Sequence, residues 1–107
     1  MSDPAEDEIV AWFTPRSERR IDTACAHVFL QGGTALKVKR HDNLGYADFT
    51  TDAQRLWALE RELEFNRPAA PDIYRGVRRI TREADGSLAI DGQGETLDHV
   101  LEMRRFD

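Results

Sequence analysis

One segment of the sequence carries a clear helical pattern, and strand-like segments lie on both sides of it. Thr51 and Gln54 have the spacing of a capping box, in which each side chain binds the backbone N–H of the other residue. Three apolar residues recur at i, i+3 and i+7: Leu56, Leu59 and Leu63. That spacing predicts one buried stripe. Pro68 predicts that the helix ends near Asn66 or Arg67.

The flanking segments have the features of antiparallel strands. Before the helix, "RRIDTACAHVFL" and "TALKVK" are strand-like, and Gly32-Gly33 between them suits a tight hairpin turn. After the helix come "DIYRGVRRIT", "SLAI" and "DHVLEMRRF", with Asp85-Gly86 as a second hairpin signal. This order predicts an α+β fold, with an antiparallel sheet of about five strands and one main helix.

Length and charge narrow the class of protein. The 107 residues predict a single domain over residues 1–107, of which residues 1–7 are expected to be a disordered tail. The segment "EIVAWFTP" predicts a short helix or an apolar plug packed on the domain. A formal net charge of -5 argues against a nucleic-acid partner.

The expected compartment follows from cysteine content and hydropathy. The single cysteine, Cys25, excludes an internal disulfide and favours a reducing compartment. No apolar run reaches the roughly 20 residues of a membrane span, and the acidic N-terminus is unlike a signal peptide. We therefore expect a cytoplasmic protein with no membrane partner.

Most aromatic and histidine residues carry no functional pattern of their own. Five aromatic residues are expected to be core or packing residues: Trp12, Phe13, Trp57, Phe65 and Phe106. The three histidines lack the spacing of metal ligands with Cys25. The segment "HDNLGYADF" is expected to be a loop.

Four fragments together resemble one family. In order along the chain they are "VFLQGGTALKVK", "GYADFTT", "ELEFNRPAAPDIYRGV" and "VLEMRRF", and they extend over roughly residues 20–107. They resemble the N-terminal lobe of the aminoglycoside-phosphotransferase-like kinases, in particular a bacterial branch often fused to a P-loop kinase domain. The resemblance implies a protein-kinase-like N-lobe that cradles ATP with Mg for phosphoryl transfer to a small-molecule hydroxyl.

The resemblance also implies five nucleotide-binding residues: Lys37, Glu62, Thr23, Met103 and Arg105. Lys37 matches the lysine that contacts the α- and β-phosphates, and Glu62 matches the helix glutamate that holds this lysine. Thr23 begins the segment in the place of the phosphate-covering loop. Met103 lies near the end of the last strand. Arg105 lies in the hinge that follows, where adenine would bind the backbone.

The expected activity of this chain is limited by its extent. It stops at Asp107, where a complete kinase would continue into its C-lobe, so we expect no turnover from these 107 residues alone. Two origins are open: a piece of a longer kinase-like protein, or a stand-alone relative that has lost catalysis.

An alternative function is a non-catalytic protein-interaction module. An N-lobe without its second lobe exposes apolar surface, which a homodimer or a C-lobe-containing partner would cover. The Thr23–His27 segment separates the two hypotheses, because nucleotide binding requires it to close on phosphates. Without the family resemblance, strand alternation favours a solvated strand lysine at Lys37.

Overall fold

The computed structural model describes residues 3–43, 45 and 48–105. Two helices are present in this part, α1 (Pro4–Phe13) and α2 (Asp52–Asn66), and a 3-10 turn (Thr14–Arg16) follows α1. The strands are β1 (Arg19–Asp22), β2 (Ala26–Gln31), β3 (Thr34–Lys39), β4 (Tyr74–Arg82), β5 (Leu88–Ile90) and β6 (Glu95–Arg104). The predicted α+β class, with one main helix, is confirmed.

The strands form one antiparallel sheet in the order β1-β2-β3-β6-β4-β5. The sheet has six strands rather than about five, because "RRIDTACAHVFL" contains two strands. A turn at residues 23–25 separates β1 from β2, and Asp22 lies opposite His27 in the register. Both predicted hairpin turns are present: Gly32 has φ +55° and Gly86 has φ +88°. Glycine adopts such positive φ angles without the steric cost that a Cβ brings.

Helix α2 has the predicted local structure. The Thr51 hydroxyl accepts from the Gln54 N–H at 3.2 Å, and the Gln54 side chain accepts from the Thr51 N–H at 3.1 Å. Leu59 is fully buried, whereas Leu56 and Leu63 are half-buried. The helix ends at Asn66, two residues before Pro68.

Helix α1 corrects the expectation of a disordered tail over residues 1–7. Asp3 is the N-cap, and its carboxylate accepts from the Ala5 N–H at 2.8 Å. Pro4 occupies the first helical position, where its missing N–H has no cost. Glu6 is buried at 9% exposure. Residues 3–7 are therefore structured, while residues 1 and 2 lie outside the described part. Of the two expectations for "EIVAWFTP", the short helix is confirmed.

The two helices lie on opposite faces of the sheet. Leu36 packs in a cluster with α1: Ile9, Phe13, Phe29, Leu36, Val38, Ile80, Leu88 and Val100. Lys37, the next residue of β3, binds Glu62 of α2. Because successive strand residues point to opposite faces, α1 covers one face of the sheet and α2 the other.

The aromatic residues divide between these environments. Phe13 is fully buried, and Trp12 packs against the core. Trp57 and Phe65 are 65% and 69% exposed, so their expected place in the core is wrong. Both lie on the side of α2 that points away from the sheet. Phe106 lies outside the described residues.

Neither described helix has the length and apolar character needed to cross a membrane.

Candidate functional site

Lys37 and Glu62 form an ion pair between the sheet and helix α2. The Lys37 Nζ lies 2.8 Å from Glu62 Oε2, although the residues are 25 positions apart. The two side chains are 24% and 19% exposed, so the pair is partly shielded but reachable from solvent. Strand β3 lies between β2 and β6 in the sheet, which fixes the position of the Lys37 backbone.

Apolar side chains adjoin Lys37 on the same face of the sheet. In the register Val28 lies opposite both Lys37 of β3 and Ile21 of β1, and Ala35 lies opposite Met103 of β6. Ile21 is 38% exposed, and Val28 and Met103 are half-buried. We call this surface the Lys37 face, defined by Ile21, Val28, Ala35, Lys37 and Met103. This face combines accessible apolar side chains with the ammonium group of Lys37, which is bound by Glu62.

Thr23 stabilises the turn between β1 and β2. Its hydroxyl accepts from the N–H groups of Cys25, at 3.3 Å, and Ala26, at 3.0 Å, and lies 3.2 Å from the Ala26 carbonyl. These three bonds use the full capacity of a hydroxyl. Arg40 also donates to the Thr23 carbonyl at 3.3 Å. Thr23 thus stabilises the β1–β2 turn. Its hydroxyl could contact a phosphate only if one of these hydrogen bonds broke.

The backbone at the end of β6 is largely engaged. The Arg104 N–H donates to the Ile73 carbonyl at 2.6 Å, and the Arg105 N–H donates to the Gly33 carbonyl at 2.8 Å. Residues 106 and 107 of the expected hinge lie outside the described part. An adenine ring near residues 104 and 105 would therefore meet N–H groups that already have partners.

The Arg105 side chain binds the β2–β3 turn. Its Nη1 lies 3.0 Å from Glu18 Oε2 and 3.4 Å from the Gly32 carbonyl. The Gly32 N–H donates to Glu18 Oε1 at 2.8 Å. The Gly32 N–H and the Arg105 guanidinium together lower the pKa of the Glu18 carboxyl. Arg105 thereby joins the end of β6 to the hairpin before Lys37.

A polar cluster that no sequence motif predicted lies in the interior. Asp98 of β6 is fully buried. Its Oδ2 lies 2.6 Å from His41 Nε2, and its Oδ1 accepts from Arg55 Nε at 3.0 Å and from the His99 N–H at 2.8 Å. Arg55 also donates to the Phe49 carbonyl at 2.9 Å. Asp98 thus connects the sheet, helix α2 and the loop before α2.

His41 extends this cluster to helix α1. Its Nδ1 lies 3.2 Å from Asp3 Oδ2, and its backbone N–H donates to Glu6 Oε1 at 3.1 Å. Burial lowers the pKa of His41, but the hydrogen bond and charge of Asp98 outweigh burial and hold the pKa above its ordinary value. Burial likewise raises the pKa of Asp98, and its bond from His41 and the Arg55 charge bring that pKa below the ordinary value. Both ring nitrogens of His41 face carboxylates, as expected of an imidazolium.

His27 makes a similar bridge between β1 and α1. Its Nε2 lies 2.7 Å from Glu6 Oε2, and its Nδ1 lies 2.9 Å from Asp22 Oδ1. Hydrogen bonds with Arg20 and His27 lower the pKa of Asp22 to about 2. No local signal identifies these clusters in the sequence, because the contacts that define them join distant residues: His27 and Glu6 are 21 positions apart, and His41 and Asp98 are 57 apart.

One group of side chains has the composition of a metal site. Asp52, Asp98 and His99 place ligand atoms within 4.8 Å of one another. However, both oxygens of Asp98 are bonded to Arg55 and His41, and Asp52 Oδ1 lies 2.9 Å from His99 Nδ1. A cation would compete with the charge of Arg55. We therefore assign a structural role, and not metal binding, to these three residues.

Comparisons of this chain with protein-family models, with curated proteins and with solved structures found no match.

Proposed function

We propose that this chain is the nucleotide-cradling lobe of a small-molecule kinase related to the aminoglycoside phosphotransferases. The observation that carries the proposal is the Lys37–Glu62 ion pair at 2.8 Å, beside the accessible apolar part of the Lys37 face. The family resemblance of the four sequence fragments supports the same reading.

The Lys37 face offers the two kinds of surface that a nucleoside triphosphate needs. An adenine ring would bury apolar area against Ile21, Val28 and Met103, and the Lys37 ammonium would neutralise phosphate charge. Half-buried Met103 lies opposite Ala35, and Ala35 precedes Lys37 by two residues on β3, so this apolar side chain is about 7 Å from Lys37 along the strand direction. That spacing suits a ligand with an apolar end and an anionic end.

The ion pair itself adds little to stability. A pair of partly exposed charges contributes about 0–1 kcal/mol. Its main effect is to position the Lys37 ammonium group, because Glu62 restricts the flexible Lys37 side chain to one region of the face. Turnover would need groups from a second lobe, so the proposal for these 107 residues concerns binding of ATP with Mg.

A titration with Mg-ATP, followed by backbone amide shifts of the isotope-labelled chain, tests this proposal. We expect shifts clustered in β1, β2, β3 and the end of β6, and their loss in Lys37→Ala. Lys39→Ala is the matched control. It removes a lysine from the same face of β3, where Lys39 Nζ lies 5.1 Å from the centre of the Phe49 ring.

Two results would contradict nucleotide binding. The first is the absence of shifts at about 5 mM Mg-ATP, which would leave any binding weaker than the millimolar range. The second is a set of shifts equally large in Lys37→Ala and in the wild type, since these would not arise from the Lys37 face.

A protein-interaction module is the second candidate function. Trp57 and Phe65, both on α2, are 65% and 69% exposed, and large exposed aromatic residues are typical of interfaces. The engaged Thr23 hydroxyl also favours this candidate, because the β1–β2 turn would have to rearrange before Thr23 could bind phosphate.

A further inference from the structure

A cavity lies between helix α1 and the sheet, on the side of the sheet away from the Lys37 face. Its volume is about 770 Å³, within the roughly 300–1,000 Å³ of small-molecule sites. One wall is a side of α1, whose residues there are spaced at i, i+3, i+4 and i+7: Asp7, Val10, Ala11 and Thr14. The other wall includes Arg20 of β1 and Arg40, which follows β3. We call this space the α1 cavity.

The two arginine side chains of the α1 cavity are held by neighbouring residues of the β1–β2 segment. Arg20 Nε donates to Asp22 Oδ1 at 2.9 Å, and Arg40 Nη1 donates to the Thr23 carbonyl at 3.3 Å. Because Asp22 and Thr23 are consecutive, both guanidinium groups lie beside the same turn. Within the part of the chain that the structure describes, Arg20 Nη1, Arg20 Nη2 and Arg40 Nη2 make no hydrogen bond. This wall therefore offers N–H donors on side chains whose positions are already held.

Helix α1 contributes a carboxylate to the opposite wall. The Asp7 side chain is exposed and forms no hydrogen bond or ion pair with any described residue. Glu6 also lines the cavity, but both of its oxygens are already bonded, to the His27 ring and to the His41 backbone N–H. The groups that remain for a ligand are thus guanidinium donors on one wall and the Asp7 carboxylate on the other.

We propose that the α1 cavity binds a small zwitterion with an apolar side chain, which is either a free amino acid or a short peptide. Its carboxylate accepts from the Nη groups of Arg20 and Arg40, since a guanidinium group presents paired donors that match a carboxylate. Its ammonium group binds Asp7. Its side chain buries apolar area against Val10 and Ala11.

The charges of the cavity favour a zwitterion over a simple anion or a simple cation. Three carboxylates and two guanidinium groups line it: Glu6, Asp7, Asp42, Arg20 and Arg40. Each arginine already has a carboxylate partner, Asp22 at 2.9 Å and Asp42 at 3.2 Å. A simple anion would therefore lie beside carboxylates that neutralise the arginines, and a simple cation would leave the Nη donors unused. A ligand with both charges brings no net charge and has a partner on each wall.

A titration of the isotope-labelled chain with leucine and with leucyl-leucine, followed by backbone amide shifts, tests this proposal. We expect saturable shifts in α1, β1 and the β1–β2 turn at up to about 10 mM ligand. The two ligands differ in the distance between ammonium and carboxylate, so the one that binds more tightly distinguishes an amino acid site from a peptide site. The blocked forms of that ligand, N-acetylated or C-amidated, each lack one charge and should bind about ten-fold more weakly or worse.

Charge-neutral variants assign each ligand group to its wall. Arg20→Gln should weaken binding of the zwitterion about ten-fold or more but should leave the amidated ligand unaffected, because that ligand has no carboxylate. Asp7→Asn should weaken binding of the zwitterion and leave the N-acetylated ligand unaffected. Arg19→Gln is the matched control, since it removes the same charge from the neighbouring residue of β1, whose side chain points to the opposite face of the sheet.

Three results would overturn the proposal. The first is the absence of shifts in α1 and β1 with both ligands at about 10 mM. The second is equal binding by Arg20→Gln and Arg19→Gln, and the third is an amidated ligand that binds as tightly as the zwitterion, since neither agrees with a carboxylate held by arginine. Far-UV circular dichroism checks that each variant folds. The α1 cavity and the Lys37 face lie on opposite sides of the sheet, so the Mg-ATP titration has its own outcome.

Discussion

Replacing Asp98 by alanine should destabilise the fold far more than any exposed charge replacement. Asp98 is fully buried, and its carboxylate holds two cationic groups, His41 at 2.6 Å and Arg55 at 3.0 Å. Arg55 is itself only 4% exposed. Asp98→Ala would leave the Arg55 guanidinium buried without its carboxylate, and removing one partner of a buried ion pair typically costs about 3–5 kcal/mol.

That loss is large beside the whole stability of a small domain, which is about 5–15 kcal/mol. Equilibrium urea unfolding followed by tryptophan fluorescence measures it. With an m-value of about 1.5 kcal/mol per M, within the range of small proteins, the midpoint should fall by about 2–3 M. If Asp98→Ala is too unstable to measure, Asp98→Asn, which keeps the size and one acceptor oxygen, should show a smaller loss in the same direction.

Asp42→Ala is the matched control for Asp98→Ala. Asp42 also binds an arginine, with 3.2 Å between Asp42 Oδ2 and Arg40 Nε, but both side chains are at least one third exposed, at 44% and 36%. A pair of that kind contributes about 0–1 kcal/mol. Equal midpoint losses for Asp98→Ala and Asp42→Ala would refute the argument that burial makes the Asp98 cluster important.

Two further predictions concern pH and the start of α2. Because the pKa of His41 is raised in the folded state, its stabilising contribution is complete below about pH 6.5 and is lost as pH rises through that raised pKa. Between about pH 6 and 9, the urea midpoint of the wild type should therefore fall as the pH rises. The midpoint of His41→Gln should fall less. Equal slopes of midpoint against pH for the two proteins would contradict this prediction. Thr51→Ala should cost about 1 kcal/mol of folding free energy by removing the cap of α2. Thr50→Ala, whose hydroxyl donates to exposed Asp48, should change the urea midpoint little.

The parts of the fold that were predictable depend on residues close in sequence. The capping box of Thr51 and Gln54 and the glycine turns at Gly32 and Gly86 involve at most a few neighbouring residues, and each is present as predicted. The division of "RRIDTACAHVFL" into two strands was missed, although Thr23 carries a signal. Its hydroxyl binds the backbone two and three residues ahead, which is a known way for threonine to form a turn.

The polar clusters were not predictable because distant residues form them. His41 and Asp98 are 57 positions apart, and no motif around either residue indicates that the two are in contact. The exposure of Trp57 and Phe65 was also missed, because hydrophobic character alone does not say which side of a helix faces the sheet. The positions of Leu56, Leu59 and Leu63 had already defined the packed side, and the two aromatic residues lie away from it.

The position of Glu62 depends more on the buried cluster than on Lys37. Arg55 and Glu62 are seven residues apart, about two helical turns, and lie on the same side of α2. Arg55 is held by fully buried Asp98, whereas Glu62 and Lys37 form a partly exposed pair. Removing one partner of the first interaction costs about 3–5 kcal/mol, whereas the second contributes at most about 1 kcal/mol. The Arg55–Asp98 contact therefore sets where α2 lies on the sheet, and Lys37 binds a carboxylate that the rest of the structure has already brought to it.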